Sequence, residues 1–161
     1  MPLRIRERKP QDTPAILDCM RELQDWERNI DARLAAPDDV LERLWEEMIE
    51  DCDVFRGTVF VADLDGAVVG YIGVLTHVAQ EGTAEVDYVY AQITDLAVRG
   101  QYRSQGIGSA LLAHAKTHAR GAGVRWLRIN VRAGNPAAVA MYRRCGFDDR
   151  EIVLEHDLAA G

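Results

Sequence analysis

The sequence contains no run of about 18 apolar residues, so nothing in it reads as a membrane span. Its opening, Met1 to Lys9, is charged and has no apolar stretch behind it, so a secretory signal is not expected. Cysteine is scarce. Cys19, Cys52 and Cys145 are odd in number and lack metal-ligand spacing, so they read as free thiols of a reducing compartment. The expected location is the cytoplasm, with no metal site. No internal repeat, low-complexity tract or linker breaks the 161 residues, which are most simply one domain, 1–161. A chain of this length buries about two-thirds of its unfolded surface without staples.

What is present is ordinary in amount: 48% hydrophobic and 28% charged residues, with a net charge of −7. That sign argues against a general nucleic-acid partner. The distribution says more than the total. From Asp18 to Asp53 thirteen acids face four arginines, whereas from Arg99 to Arg150 ten basic residues face only Asp148 and Asp149. Such segregation suits an anionic ligand on the second half and a cationic one near the first.

Along the chain, Leu3 to Glu7 alternates as a short strand, and Asp12-Thr13-Pro14 opens a helix to about Arg28 with Ile16, Leu17, Met20 and Leu23 inward. Pro37-Asp38-Asp39 starts a second helix ending near Asp51, its apolar face Val40, Leu41, Leu44, Trp45 and Met48. Asp65-Gly66 joins Thr58–Leu64 and Ala67–Leu75 into a hairpin. A β-rich run from Glu85 to Val98 follows, whose apolar parity switches twice and so predicts a bulge. A helix after Gly106 has Ile107, Ala110, Leu111, Ala115 and Ala119 on one side. Arg125–Val131 is a strand, Asn135-Pro136 opens a last helix through Cys145, and Phe147 to Asp157 reads as a final β element or hairpin. The expected fold class is α/β (α+β), in order β-α-α-β-β-β-α-β-α-β-β. It has a mixed central sheet of about six to seven strands with helices on both faces.

The stretch Ile93 to Leu112 joins a strand, a basic turn with two glycines and a helix N-terminus, which offers free N–H groups and a positive dipole end to a phosphate. A P-loop needs lysine before its Ser/Thr, and Gly108 is followed directly by Ser109. A dinucleotide fingerprint wants a small residue where Leu111 stands and an acid near position 128, which is Arg128. Arg103-x-x-Gly106-x-Gly108 after Leu96-Ala97-Val98 instead resembles the acyl-CoA motif of the GNAT superfamily of N-acetyltransferases. Asn135-x-x-Ala138-x-x-x-Tyr142-x-x-x-Gly146-Phe147 is similar to that family's second motif, in the right order. Gly100 stands where the family often has proline.

The resemblance implies the family's fold, acetyl-CoA as cosubstrate and no metal. It assigns the pantetheine arm to Leu96, Ala97 and Val98. The pyrophosphate falls to Arg103, Ser104, Gln105, Gly106, Ile107, Gly108 and Ser109, with further contacts from Asn135 and Tyr142. Tyr142 stands where the family places its general acid, and a main-chain N–H near Leu96 would be the oxyanion donor. The family's glutamate base is absent, since Gln92 and Thr94 occupy its positions. Asp87, Glu85 or Asp95 acting through water are the alternatives, although Asp95 has the opposite strand parity from Thr94 and reads equally well as a brace.

In the family the segment between the first two helices roofs the acceptor. Here it carries Glu22, Asp25, Trp26, Glu27 and Asp31, so Trp26, Glu27, Asp31 and Asp95 are the expected acceptor contacts. The acceptor is expected to be a small cationic primary amine: a polyamine, diamine or lysine-like molecule. A protein lysine or N-terminus is the second reading, and a non-catalytic acyl-CoA sensor the third. No membrane partner is expected, and a homodimer follows only from family habit. His114 and His118, four apart on one helix, read as packed side chains rather than metal ligands.

Overall fold

The computed structural model describes residues 2–160. A five-stranded sheet runs β1 (Leu3–Glu7), β2 (Thr58–Leu64), β3 (Ala67–Gln80), β4 (Tyr88–Val98) and β5 (Leu127–Ile129), in that spatial order. All neighbours are antiparallel except β4 and β5, which are parallel. Helices α1 (Thr13–Glu27) and α2 (Pro37–Val54) cover one face, and α3 (Ile107–Gly121) and α4 (Pro136–Arg144) the other. The fold is therefore a mixed α/β layer structure. No helix among the described residues is long and apolar enough to cross a membrane.

Alternation along β2 shows why two cores form. Phe60 and Ala62 pack with Leu111, Leu112 and Ala115 of α3, while Val59 and Val61 pack with Ile16 and Met20 of α1 and Met48 of α2. Leu17 and Leu23 only flank that second core, and Leu44 is exposed, so the apolar stripes of α1 and α2 are narrower than their spacing predicts. Both residues of the Asp65-Gly66 turn have positive φ, 53° and 86°, as a type I′ hairpin demands. His114 and His118 pack edge-on against Phe60, with ring centroids 4.5 and 5.0 Å away.

Three expectations need correction. The sheet has five strands rather than six or seven, because Phe147–Asp157 forms no ladder. Ion pairs Arg143–Asp149, Arg150–Glu85 and Arg33–Glu155 hold that segment instead, and Ile152, Val153 and Leu154 stay exposed. Asp12 does not cap α1 with its side chain. Its buried carboxylate accepts from both terminal nitrogens of Arg6, at 2.8 and 3.0 Å, and from the Lys9 N–H at 2.6 Å, which holds it below the usual carboxylate pKa. The strand after Gly123 is shorter than expected, only Leu127 to Ile129. The reason is that β4 and β5 pair only at Ala91–Leu127, Gln92–Arg128 and Ile93–Ile129, and then part.

Candidate active site

The parting of β4 and β5 makes the site. Beyond Ile93 and Ile129 the two strands share no ladder, and a cavity of about 930 Å³ opens between them. Leu96, Ala97 and Val98 line it from the β4 edge, and Ile129, Asn130 and Arg132 from the other side. Because it passes between strands, the cavity meets both covering layers: Trp26 and Glu27 of α1, and Ala138, Met141 and Tyr142 of α4.

One end is a glycine turn leading into a helix N-terminus. Ser104 has φ 60° and Gly106 φ 80°, and these left-handed residues turn the chain into α3. The first bond of the helix is Ala110 N–H to the Gly106 carbonyl, so the N–H groups of Ile107, Gly108 and Ser109 stand outside the ladder. No acidic residue lies in that first turn, and the dipole end is unopposed. Arg103, Ser104, Gly106, Ile107, Gly108, Ser109 and Asn135 all line the cavity. Gln105 is outside it, its amide turned to the Gln101 carbonyl at 3.4 Å. Arg103 is positioned by donating to the Val98 carbonyl at 3.0 Å, and Asn135 caps α4 by accepting from the Ala138 N–H at 3.1 Å.

At the other end two acids and two phenols gather. The register of β3 against β4 slips between Ile72/Leu96 and Val74/Ile93, where the apolar parity switches, leaving an extra residue in β4. The bulge turns Thr94 and Asp95 to the same face, the one covered by α1 and α2, where simple alternation predicts opposite faces. Thr94 Oγ1 lies where a Cβ on Gly73 would collide with it, at 2.2 Å, and Asp95 accepts from the Tyr71 hydroxyl at 3.3 Å. Thr94 Oγ1 is buried without a partner. Burial, and secondarily repulsion from Glu27, raise the Asp95 carboxyl to a pKa of about 6 against the Tyr71 bond. Burial, then the charges of Glu27 and Asp95, push the Tyr142 phenol to about 12. Tyr142 packs edge-on against Phe147, with centroids 6.1 Å apart.

Of the expected acceptor residues, Trp26, Glu27 and Asp95 line the cavity and Asp31 does not, since Arg33 takes both of its oxygens at 2.7 and 2.9 Å. Asp87 is exposed in the segment before β4, outside the lining, and Glu85 is paired with Tyr88 and Arg150. Glu22 is a brace: it accepts from the Gly100 N–H at 2.9 Å and lies 3.4 Å from Arg99. The acidic roof therefore reduces to Glu27 beside Asp95. Arg132, which follows β5 by three residues, enters this end; with Arg125 and Arg128 it reads from the sequence as a charged field for the cofactor or as plain surface, and only the fold brings it beside Glu27.

The chain is similar to an N-alpha-acetyltransferase of Sulfurisphaera tokodaii, 30% identical over 132 residues, covering 80% of this chain and 77% of that one. It is also similar to an aminoglycoside N(6')-acetyltransferase type 1 of Stenotrophomonas maltophilia, 34% identical over 119 residues, 73% of this chain and 74% of the other. The solved aminoglycoside 6'-N-acetyltransferase of Acinetobacter haemolyticus superposes with a TM-score of 0.72, covering 96% of this chain and 97% of that one. At 14% identity this is a likeness of fold alone. A sequence model of the acetyltransferase (GNAT) family matches residues 18–147, spanning both glycine-turn and Tyr142 motifs, and the chain belongs to that family as an acyltransferase.

Proposed function

We propose that the protein acetylates a primary amine of a small cationic acceptor directly from acetyl-CoA, with both bound together. The observation that carries the reading is that one cavity joins the glycine turn at Gly106 to the acid pair Glu27 and Asp95, with Tyr142 of α4 on its wall. The residues present suit the cosubstrate. The free N–H groups of Ile107 to Ser109, with Arg103, match a pyrophosphate, and the unpaired edge at Leu96 to Val98 matches an amide-bearing arm. Bound there, acetyl-CoA supplies an acetyl group activated as a thioester.

The chain's own residues do the rest. An amine of pKa about 10.4 arrives protonated at neutral pH, and removing that proton costs about 4–5 kcal/mol. Asp95, ionised above about 6 and shielded from water, attracts the ammonium ion and takes its proton. A main-chain N–H at the bulge near Leu96 donates to the carbonyl oxygen as it gains charge. Tyr142, protonated across the working pH range, donates to the departing sulfur and regains a proton from the nitrogen as the amide forms, leaving Asp95 to return the first proton to water. The charges of Glu27 and Asp95 raise the phenol, so an ammonium ion between them and Tyr142 lowers it toward the range where it releases a proton readily. Cys145 lies outside the cavity lining, which supports direct transfer over a covalent enzyme intermediate.

A second reading, acetylation of a protein N-terminus, draws on the name of the Sulfurisphaera tokodaii relative. Thiol release from acetyl-CoA across polyamines, diamino acids, aminoglycosides and short peptides tests both. Turnover with the small cationic amines is the expected result. Turnover confined to peptides supports the second reading, and tight acetyl-CoA binding without turnover of any amine means a sensor.

A further inference from the structure

We propose that Arg132 is a carboxylate receptor, so that the favoured acceptor carries an acid group beside its amine: an amino acid of the diamino type, not a simple polyamine. The inference rests on the reading of the Glu27–Asp95 end as the acceptor site and narrows its substrate class.

The argument is an accounting of donors. Arg132 lines the cavity with its side chain 42% exposed. Its nearest acids are Glu27, at 3.7 Å from Nε, and Asp31, at 3.9 Å from a terminal nitrogen. Both distances exceed hydrogen-bond reach, so the guanidinium's five donors are spent on neither. Arg33 shows what a satisfied arginine looks like in the same neighbourhood: it grips Asp31 at 2.7 and 2.9 Å and Glu155 at 2.8 and 2.9 Å. Asp31 is held by three bonds from Arg33, which draw its oxygens away from Arg132. Among the described residues no group hydrogen-bonds the Arg132 guanidinium, which stands within ion-pair distance of Glu27 and Asp31 at the cavity wall, next to an anion pair, Glu27 and Asp95, whose charges reach Tyr142.

A planar guanidinium with free donors matches a carboxylate in two-point geometry, which an ammonium ion cannot use. A ligand with an amine and a carboxylate satisfies both partners at once. A polyamine would set a second cation against Arg132, and such a like-charge contact disfavours the wrong acceptor. Arg132 is then a specificity-determining residue that leaves the chemistry to Asp95 and Tyr142.

Matched pairs that differ only by the carboxylate test this: lysine against cadaverine, ornithine against putrescine, each with the intact protein and the Arg132→Gln and Arg132→Lys variants. Wild-type kcat/KM should favour the amino acid at least tenfold. Arg132→Gln should remove that preference by raising the KM of the amino acid and lowering that of the diamine, with the acetyl-CoA KM changed less than threefold, and Arg132→Lys should restore part of it. The inference is overturned if the diamines are equal or better in the wild type while being acetylated, a result that leaves the amine acetyltransferase reading standing. It is overturned equally if Arg132→Gln depresses both members of a pair alike, as a purely structural latch would, or raises only the acetyl-CoA KM. Failure of every amine in the panel removes the underlying reading and this inference with it.

Discussion

The Tyr71 hydroxyl donates to Asp95 across the β3–β4 pair at 3.3 Å, at the point where the two strands slip in register. Tyr71 is fully buried among the residues of α1 and α2, so its hydroxyl fixes a carboxyl group at the cavity wall instead of in solvent. A single bulge thus puts Thr94 and Asp95 side by side on the α1–α2 face, where alternation onward from Ile93 alone would send Asp95 to the α3–α4 face.

Asp95→Asn should lower kcat/KM by about 10²–10⁴ if the carboxylate takes the amine's proton. In the wild type the rate should fall on acidification below pH about 6, as Asp95 becomes protonated, and that limb should vanish in the variant. The stability effect has the opposite sense. A carboxyl raised from 3.8 to about 6 in the folded state contributes stability below pH 3.8, which is lost as pH rises through 6. Above that window Asp95→Asn should be more stable by on the order of 3 kcal/mol, as read by urea unfolding at two pH values.

Tyr142→Phe keeps the packing on Phe147 and removes only the hydroxyl. The expected result is a fall in kcat of about 10²-fold or more with the acetyl-CoA KM nearly unchanged. In the wild type kcat/KM, which reports the free enzyme, should show no loss from Tyr142 ionisation until pH approaches about 12. Unchanged turnover at saturating amine would end the acid role.

Gly106→Ala meets no atom within 4 Å, so its cost is conformational: φ is 80°, where a side chain adds about 1 kcal/mol or more. Relaxing that turn moves the N–H groups of Ile107 to Ser109. Calorimetry should show coenzyme A bound about tenfold more weakly, a loss near 1.4 kcal/mol. Pantetheine, which has no phosphate, should bind both proteins alike.

Thr94→Val replaces a buried hydroxyl that has no hydrogen-bond partner with a methyl of the same shape. Leaving a polar group unsatisfied costs about 1–3 kcal/mol, so the variant should be stabilised by about 1 kcal/mol, a rise in Tm of about 2–4 °C by calorimetry. A destabilised variant would show that the hydroxyl has a partner in solution.

Much was legible in the residues. Asp65-Gly66 announced its hairpin, the parity switch between Ile93 and Leu96 announced a bulge, and the spacing of Ile107, Leu111 and Ala115 announced the buried side of α3. These are local signals, in which a few neighbouring residues decide the backbone. The expected strand after Phe147 failed because a strand exists only where a partner pairs with it, and there side-chain ion pairs hold the chain. The acidic run on α1 was misleading for a similar reason. Glu22 is taken by the Gly100 N–H, a partner that no spacing along the helix reveals, and Asp31, beyond the helix, by its sequence neighbour Arg33.

The sequence by itself determined the anion-binding end. Positive-φ glycine, free N–H groups and helix dipole all lie within Arg103 to Ser109, and local geometry creates them wherever that stretch folds. Only the tertiary structure decided the other end of the cavity, where the charged side chains meet. Glu27 comes from a helix, Asp95 from a bulge and Arg132 from beyond a three-residue strand. Whether each charge is free or spent depends on distances between segments that the chain brings together only when the sheet closes.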